Sequence, residues 1–188
     1  MTGKAVVIGA SAGGVQALSQ ILPALPGNFP CPIFVVVHVP PRRDNALVQL
    51  LAAKCALQVK EAEDKEKAMG GTIYFAPADY HLLVEEGGTI ALSSEEPVNH
   101  SRPAIDVLFE SAADAFGPSL TGIVLTGANH DGADGLRAVG AAGGNALVED
   151  PATAEVSTMP AAALAACPTA QAMHFAEIVR QLRDWAAA

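Results

Sequence analysis

The feature that most constrains the fold of this chain is the alternation of short apolar runs with stretches whose apolar residues recur at helical spacing. The runs are AVVIG from Ala5, IFVVVHVPP from Ile33, LTGIVLTG from Leu120 and NALVED from Asn145. Continuous runs of this kind, rich in β-branched residues, are typical of strands that are buried on both faces. Because helical stretches separate them, we expect helical crossovers and a largely parallel sheet that is covered on both sides.

Each helical stretch is recognised by one apolar face. Val15, Leu18 and Leu22 follow the first run at helical spacing. The other predicted helices cover residues 45–55 and 136–142, a stretch with Ile105, Leu108, Phe109, Ala112 and Phe116, and a C-terminal stretch with Phe175, Ile178, Val179, Leu182 and Trp185. The spacing in both of these stretches predicts amphipathic helices that pack against the sheet.

We therefore predict an α/β fold of three layers, αβα, around a doubly wound, mostly parallel sheet. A small antiparallel hairpin is expected at Gly87-Gly88, within TIYFAPADYHLLVEEGGTIALS. Residues 61–68, EAEDKEKA, carry charges of both signs and are predicted to be a solvated surface segment. The chain has 188 residues with neither an internal repeat nor a long linker, so residues 1–188 are predicted to form a single domain.

Charge and composition exclude several classes of partner and site. The formal net charge is −9, and no cluster of Lys and Arg offers the positive surface that nucleic acid or an anionic membrane requires. The three cysteines are widely separated and form no C-x-x-C pair, so neither a disulfide framework nor a zinc site is expected. No stretch predicts a signal peptide or a membrane-inserted helix, which makes the cytoplasm the expected compartment.

Polar residues follow three of the predicted strands at the point where each strand ends. Ser11 follows the first strand, His38 the second, and Asn129, His130 and Asp131 follow the LTGIVLTG strand. Ligands of open α/β sheets bind at the carboxyl ends of the strands, where these side chains are expected to converge. A hydroxyl, an imidazole and a carboxylate at one edge suggest nucleophilic catalysis.

The segments that carry these residues also permit other interpretations. Residues 9–13, GASAG, fit the G-x-S-x-G turn that exposes a nucleophilic serine, but Ser11 could equally cap the helix that follows. The same segment is a poor match to dinucleotide-binding and phosphate-binding loops. His38 lies among valines, where a structural histidine is as plausible as a functional one unless a partner offsets its burial.

Asp131 is also open to another interpretation, and other aspartates could take its place as the partner of a histidine. Asp131 could cap the helix that follows it, and Asp79, Asp106 and Asp134 are alternative partners for a histidine. A metal site would recruit His81, His100, His130 and Asp79, but these residues form no compact ligand motif. We therefore expect no metal ion and no cofactor.

Seven stretches in series give the chain a family resemblance. They are IGASAGG from Ile8, HVPP from His38, VKEAEDKE from Val59, APADYH from Ala76, SRPAIDVLFESAA from Ser101, LTGANHDGADGL from Leu125 and EDPATAEVSTMPAAAL from Glu149. In this order they resemble the catalytic domain of the chemotaxis protein-glutamate methylesterases, the CheB type.

The resemblance implies a serine hydrolase without a cofactor. Its expected substrates are methylated glutamates on the cytoplasmic helices of a methyl-accepting chemoreceptor, and often glutamines, which it deamidates. The catalytic triad of the family falls on Ser11, His38 and Asp131. By family position the Ala128 amide, helped by a donor near Ala12, is expected to bind the oxyanion. Arg102 is expected either to line the substrate groove or to hold the start of its helix.

The chain departs from the family pattern in three respects. Ala12 replaces a hydroxyl residue that often follows the nucleophile, and Ala128-Asn129-His130 replaces Met-Gly-x before the aspartate. Regulated members carry a receiver domain before the catalytic domain, whereas the first strand here is predicted near Ala5, so the resemblance is to the catalytic domain alone. Two alternatives are an esterase acting on another protein or a small ester, and a non-catalytic docking module of a signalling system.

Overall fold

The computed structural model describes residues 3–38 and 44–188, and in these ranges a parallel sheet of seven strands lies between two layers of helices. The strands are β1 (Ala5–Ala10), β2 (Ile33–Val37), β3 (Gln58–Glu61), β4 (Thr72–Phe75), β5 (His81–Glu85), β6 (Thr89–Ser93), β7 (Leu120–Val124), β8 (Asn145–Glu149) and β9 (Gln171–Met173). The helices are α1 (Gly14–Ile21), α2 (Asp44–Ala52), α3 (Ile105–Phe116), α4 (Ala133–Ala141), α5 (Thr158–Ala166) and α6 (Phe175–Ala187).

The strand order places a topological switch point at β1. The order across the sheet is β3-β4-β2-β1-β7-β8-β9, so the chain winds to one side of β1 through β2 and to the other side through β7. Every pair of neighbouring strands in this sheet is parallel. A crevice therefore opens beyond the carboxyl ends of β1, β2 and β7, where α/β proteins bind their ligands.

Alternate residues of the central strands enter two separate cores. In β1, Val7 packs with α3, α4 and α5 on one face, while Val6 and Ile8 pack with α1, α2 and α6 on the other. In β2, Phe34 and Val35 divide between the same two cores. This alternation follows from the two-residue period of a strand, and it explains why these runs are apolar throughout.

The hairpin of β5 and β6 lies outside the main sheet and packs on α3. Its apolar residues join the same core as the α3 residues, and the Val84 amide donates a hydrogen bond of 3.1 Å to the Ser111 hydroxyl. The predicted three-layer fold with a small antiparallel hairpin is confirmed.

Some elements differ from the sequence-based expectation. The predicted surface segment 61–68 is wrong in part, because Glu61 ends β3 and Ala62 is buried in a core. Three elements were not predicted: the short strands β3 and β9, and α5, which is apolar on all sides. Pro40 and Pro41, expected to close the second strand, lie outside the described residues. Every helix in the described ranges is too short or too polar to span a membrane.

Gly135 sets the close approach of α4 to α3. A Cβ atom at this position would lie 2.6 Å from the Phe109 Cβ and 3.0 Å from the Asp106 Cα, so a side chain has no space unless the helices separate. At Gly27 an added Cβ would have the Ala56 Cβ as its nearest neighbour, at an ordinary contact distance of 3.5 Å.

We expect Gly135→Ala to lower the free energy of unfolding by about 1–3 kcal/mol, because overpacking forces a shift of the backbone. Urea unfolding followed by circular dichroism measures this change. Gly27→Ala is the matched control and should be close to neutral. Equal stability of the two variants would contradict the proposed role of Gly135.

Candidate active site

The ends of β1, β2 and β7 bring the predicted site residues to one edge of the sheet. Ala10 pairs with Val37 in the parallel register, and the His38 amide continues this ladder by donating to the Ala10 carbonyl at 3.0 Å. On the other side of β1, the Ser11 amide donates to the Thr126 carbonyl at 2.9 Å. Ser11 therefore lies at the end of the central strand, between the strand end that carries His38 and the turn that leads to Asp131.

The turn after β1 leaves Ser11 half-buried and does not use its side chain as a helix cap. Gly13 is the N-cap of α1 and has a φ of 80°, a conformation that favours glycine. The Ser11 carbonyl accepts a hydrogen bond from the Gly14 amide at 2.8 Å, and α1 has no side-chain cap. The alternative interpretation of Ser11 as a helix cap is therefore wrong.

His38 and Asp131 are in direct contact. The His38 Nε2 lies 3.0 Å from the Asp131 Oδ2, and the two side chains are 15% and 0% exposed. The structure thus pairs the predicted imidazole with Asp131 rather than with a competing carboxylate. Asp79 instead borders a cavity beside His38, and Asp134 forms a surface ion pair with Arg137 at 3.0 Å.

Asp131 also binds the N-terminus of α3. Its carboxylate accepts hydrogen bonds from the amides of Ile105 at 2.7 Å and Asp106 at 3.1 Å, and from the Asn99 Nδ2 at 2.9 Å. Burial alone would raise the pKa of Asp131 and is the largest influence on it, but the hydrogen bonds together hold this pKa below the ordinary 3.8. The alternative interpretation that Asp131 caps the helix after it is wrong, because its carboxylate binds the first amides of α3 while Gly132 is the N-cap of α4.

Asp106 makes the reciprocal contact. From the first turn of α3, its carboxylate accepts hydrogen bonds from the amides of Gly132 at 2.9 Å and Gly135 at 2.7 Å, at the start of α4. Burial, partly offset by these hydrogen bonds and reinforced by the charge of Asp131, raises the pKa of Asp106. The Asn99 Nδ2 donates to both carboxylates, and it lies 2.7 Å from the Asp106 Oδ2. Asn99 therefore bridges the two acceptors.

Thr126 connects the turn after Ser11 to the segment that contains Val156. No sequence pattern predicted this role. Its hydroxyl donates to the Ala12 carbonyl at 2.9 Å and accepts from the Val156 amide at 2.9 Å. Its own amide donates to the buried Glu149 carboxylate at 2.7 Å. Burial raises the pKa of Glu149, while the Thr126 hydrogen bond partly opposes this effect. The only sequence signal for this cluster was the placement of polar residues at the ends of buried strands.

The two predicted oxyanion donors lie on turns next to Ser11. Ala12 and Ala128 are exposed, and neither backbone amide donates to an acceptor within the described ranges. Gly127 fits tightly against the nucleophile, because a Cβ at this position would lie 2.9 Å from the Ser11 Cβ. The arrangement thus leaves two backbone donors free beside the serine.

Arg102 lies at the wall of a cavity of about 220 Å³ that His38 also lines. The guanidinium Nη1 donates to the carbonyls of Ser94 and Glu95, each at 3.1 Å. The Arg102 Nε is buried and has no partner among the described residues. Arg102 therefore borders this cavity, and its hydrogen bonds hold the segment before it rather than the start of α3.

The histidines named for a possible metal site are dispersed. His81 is buried, accepts the Ala104 amide on Nδ1 at 3.2 Å and faces the Glu96 carbonyl with Nε2 at 3.0 Å, so both ring nitrogens serve the backbone. His100 and His130 are exposed. Across residues 3–38 and 44–188, no three His, Cys, Asp or Glu side chains form a group that could hold a metal ion.

The second nitrogen of His38 faces a carboxamide. The Asn129 Nδ2 lies 3.3 Å from the His38 Nδ1, and the Asp131 amide donates to the Asn129 Oδ1 at 3.0 Å. Because Nε2 is bound to Asp131, Nδ1 is the nitrogen that remains to accept a proton. In the part of the chain that the structure describes, no hydrogen bond joins the Ser11 hydroxyl to His38.

We expect Thr126→Val to lower the free energy of unfolding by about 1–3 kcal/mol, because it leaves the Val156 amide without its acceptor. Fluorophosphonate labelling of Ser11 should also slow, since the Ala12 carbonyl loses its donor. Thr121→Val is the matched control, because the buried Thr121 hydroxyl has no partner among the described residues. A smaller loss of stability in Thr126→Val than in Thr121→Val would contradict the role assigned to the Thr126 hydroxyl.

We expect Asp131→Asn to lower the free energy of unfolding at pH 7 by about 1.5–3 kcal/mol, through weaker hydrogen bonds from donors that now face a neutral group. A carboxylate whose pKa is lowered by folding stabilises the protein above its ordinary pKa, and this contribution is lost as the pH falls through the lowered value. The difference from wild type should therefore shrink below pH 3.8. Chemical unfolding at several pH values tests this, with the exposed Asp134→Asn as control; a pH-independent difference would count against it.

Known proteins match this chain over most of its length. The family model of the CheB methylesterase matches residues 6–182. A Leptospira interrogans protein, named as a candidate protein-glutamate methylesterase/protein-glutamine glutaminase, is 48% identical over 166 residues, which are 88% of this chain and 86% of that protein. The Bordetella parapertussis protein-glutamate methylesterase/protein-glutamine glutaminase is 38% identical over 183 residues, which are 95% of this chain and 52% of that protein.

One solved structure resembles this chain in both fold and sequence. The crystal structure of the Thermotoga maritima CheB methylesterase catalytic domain superposes with a TM-score of 0.91 at 35% identity. The match covers 98% of this chain and 99% of that one. With the family model spanning the strands that carry Ser11, His38 and Asp131, the chain belongs to the CheB methylesterase family.

Proposed function

We propose that this chain hydrolyses the methyl ester of methylated glutamate side chains, and by the same acyl chemistry the side-chain amide of glutamine. The single observation that carries the proposal is the contact between His38 and the buried, ionised Asp131 at the strand end next to Ser11. The names of the relatives, which pair a methylesterase with a glutaminase, support the same two reactions.

The reaction begins at the Ser11 hydroxyl. Its oxygen bonds to the carbonyl carbon of the ester while its proton moves to the Nδ1 of His38. Asp131 accepts a hydrogen bond from Nε2 and stabilises the imidazolium that results. A general base of this kind contributes roughly a hundred- to ten-thousand-fold to the rate.

The negative oxygen of the tetrahedral intermediate is bound by the amides of Ala128 and Ala12. Neither amide donates within the described chain, so both are free to bind an oxyanion without first breaking a bond. One donor of this type is worth about 3–4 kcal/mol of the barrier.

The intermediate then collapses, and the bond to the methoxy oxygen breaks. His38 returns its proton to this oxygen, so methanol leaves and an acyl group remains on Ser11. Water, deprotonated by His38, then attacks the acyl group, releasing glutamate and restoring the serine. With glutamine as substrate the leaving group is ammonia. None of these steps calls for a metal ion or a cofactor.

The substrate is proposed to be a cytoplasmic helix of a methyl-accepting chemoreceptor, which places the enzyme in the cytoplasm. Membership of the CheB methylesterase family supports this substrate, and the cavity beside His38 is the proposed place for the side chain that enters. Val37 and Phe75 give the wall of this cavity apolar surface, and Arg102 gives it a positive charge. Residues 1–188 are proposed to act as one catalytic domain.

We expect Ser11→Ala to lower methanol release from methylated receptor fragments by at least about 10⁴-fold, because no nucleophile remains to form the acyl-enzyme. Release of labelled methanol measures the loss. Ser19→Ala, on α1, is the matched control and should retain activity. Circular dichroism establishes that each variant is folded, and substantial turnover by folded Ser11→Ala would overturn the assignment.

Two further measurements separate the alternatives. Turnover of receptor fragments is compared with turnover of small nitrophenyl esters, and a strong preference for the small esters would favour a different substrate. Labelling of wild type by a fluorophosphonate probe, absent in Ser11→Ala, is the expected sign of a reactive serine. If wild type resists the probe at high concentration, the chain is a docking module without catalysis.

A further inference from the structure

The carboxamide of Asn129 lies between the imidazole of His38 and the backbone of Asp131. The Asp131 amide is a donor and lies 3.0 Å from the Asn129 Oδ1. The oxygen of the carboxamide therefore faces the backbone, and its NH₂ group faces the His38 Nδ1 at 3.3 Å. The orientation of this amide is thus fixed by the chain that precedes α4.

Both partners of the imidazole select the same protonation form. The NH₂ group of Asn129 can only donate, so the His38 Nδ1 must present its lone pair. The Asp131 carboxylate can only accept, so Nε2 must carry the proton. Both contacts thus favour the tautomer whose lone pair lies on Nδ1, the nitrogen that the reaction requires as the base.

We propose that Asn129 is a positioning residue of the hydrolysis, which holds the His38 ring in the form that accepts the Ser11 proton. This inference rests on the proposed function. Nδ1 has one lone pair, so Asn129 occupies it in the resting enzyme and Ser11 takes it over when the ester binds. Asn129 is half-buried at the site edge.

The other ionisable groups around His38 differ from Asn129 in position. Asp131 contacts the opposite nitrogen of the ring. The remaining groups line the cavity beside the ring and are Glu61, Asp79, His100 and Arg102. In the described ranges, Asn129 is the residue whose side chain meets Nδ1.

Asn129→Asp tests the proposal with almost no change of shape. An aspartate still offers an oxygen to the Asp131 amide, but it presents a second acceptor to Nδ1 and so favours a proton on that nitrogen. We expect kcat/KM at pH 7 to fall about 10- to 100-fold, with KM nearly unchanged. The acidic limb of the pH profile should move upward by about 1–2 pH units, because the new negative charge beside the base stabilises its protonated form. Activity should recover at high pH, where the base loses its proton.

His130→Asp is the matched control, because it adds the same charge at the neighbouring position, where the side chain is exposed and does not meet Nδ1 in the described structure. It should keep the wild-type pH profile. Asn129→Ser retains an oxygen for the Asp131 amide but removes the NH₂ donor, and should lower kcat by no more than about tenfold. Equal pH profiles for Asn129→Asp and His130→Asp would overturn the proposal.

Nitrogen NMR of the His38 ring gives a readout that does not depend on turnover. At pH 7 wild type is expected to show an unprotonated Nδ1 and a protonated Nε2, and Asn129→Asp a protonated Nδ1. If wild type releases no methanol but shows these signals, the proposed function fails and the positioning of His38 stands. If methanol is released but the two proteins share the same ring signals, the role of Asn129 fails alone.

Discussion

The carboxylate of Asp131 has no exposed surface, and its hydrogen-bond donors in the described chain come from three separate segments. His38 donates from the end of β2, Asn99 from the segment before α3, and the first amides of α3 from the helix itself. A buried charge is tolerated only where donors of this kind replace water. The N-terminus of α3 adds a favourable dipole, so the charge stays on the carboxylate at neutral pH. The proposed base therefore depends on where α3 begins.

Asp106 also links α3 to α4, because its carboxylate binds the amides at the start of α4. Each carboxylate lies at the start of one helix and satisfies the amides of the other, so unpaired donors that usually face water are paired inside the protein. The absence of a side chain at Gly135 lets the two helices come close enough for this exchange. Helix packing and site geometry are thus fixed by one set of hydrogen bonds.

The parts of the fold that follow from local periodicity could be predicted, and the parts that follow from tertiary contacts could not. The apolar spacing between Ile105 and Phe116 predicted a helix, and α3 covers that stretch. α5 has apolar residues on all sides and no contrasting polar face, and β9 has three residues, so neither gives a periodic signal.

In the site, the strand ends indicated Ser11, His38 and Asp131 as neighbours. The sequence could not indicate that Asp131 binds α3 rather than α4, because both helix starts lie near it in space and only one lies near it in sequence. The contact of Asn129 with His38 likewise depends on the conformation of a turn.

Asp131 both contacts His38 and stabilises the start of α3. These two roles determine what an aspartate at this position indicates in a related chain. An aspartate that stabilises the start of α3 is retained by selection for folding even when the chemistry has been lost, so it is a poor marker of an active enzyme. The Ser11 side chain takes no part in capping α1, and its hydroxyl forms no hydrogen bond within the described chain. Loss of that hydroxyl would therefore leave the fold nearly untouched, and its retention is the more informative sign of a working hydrolase.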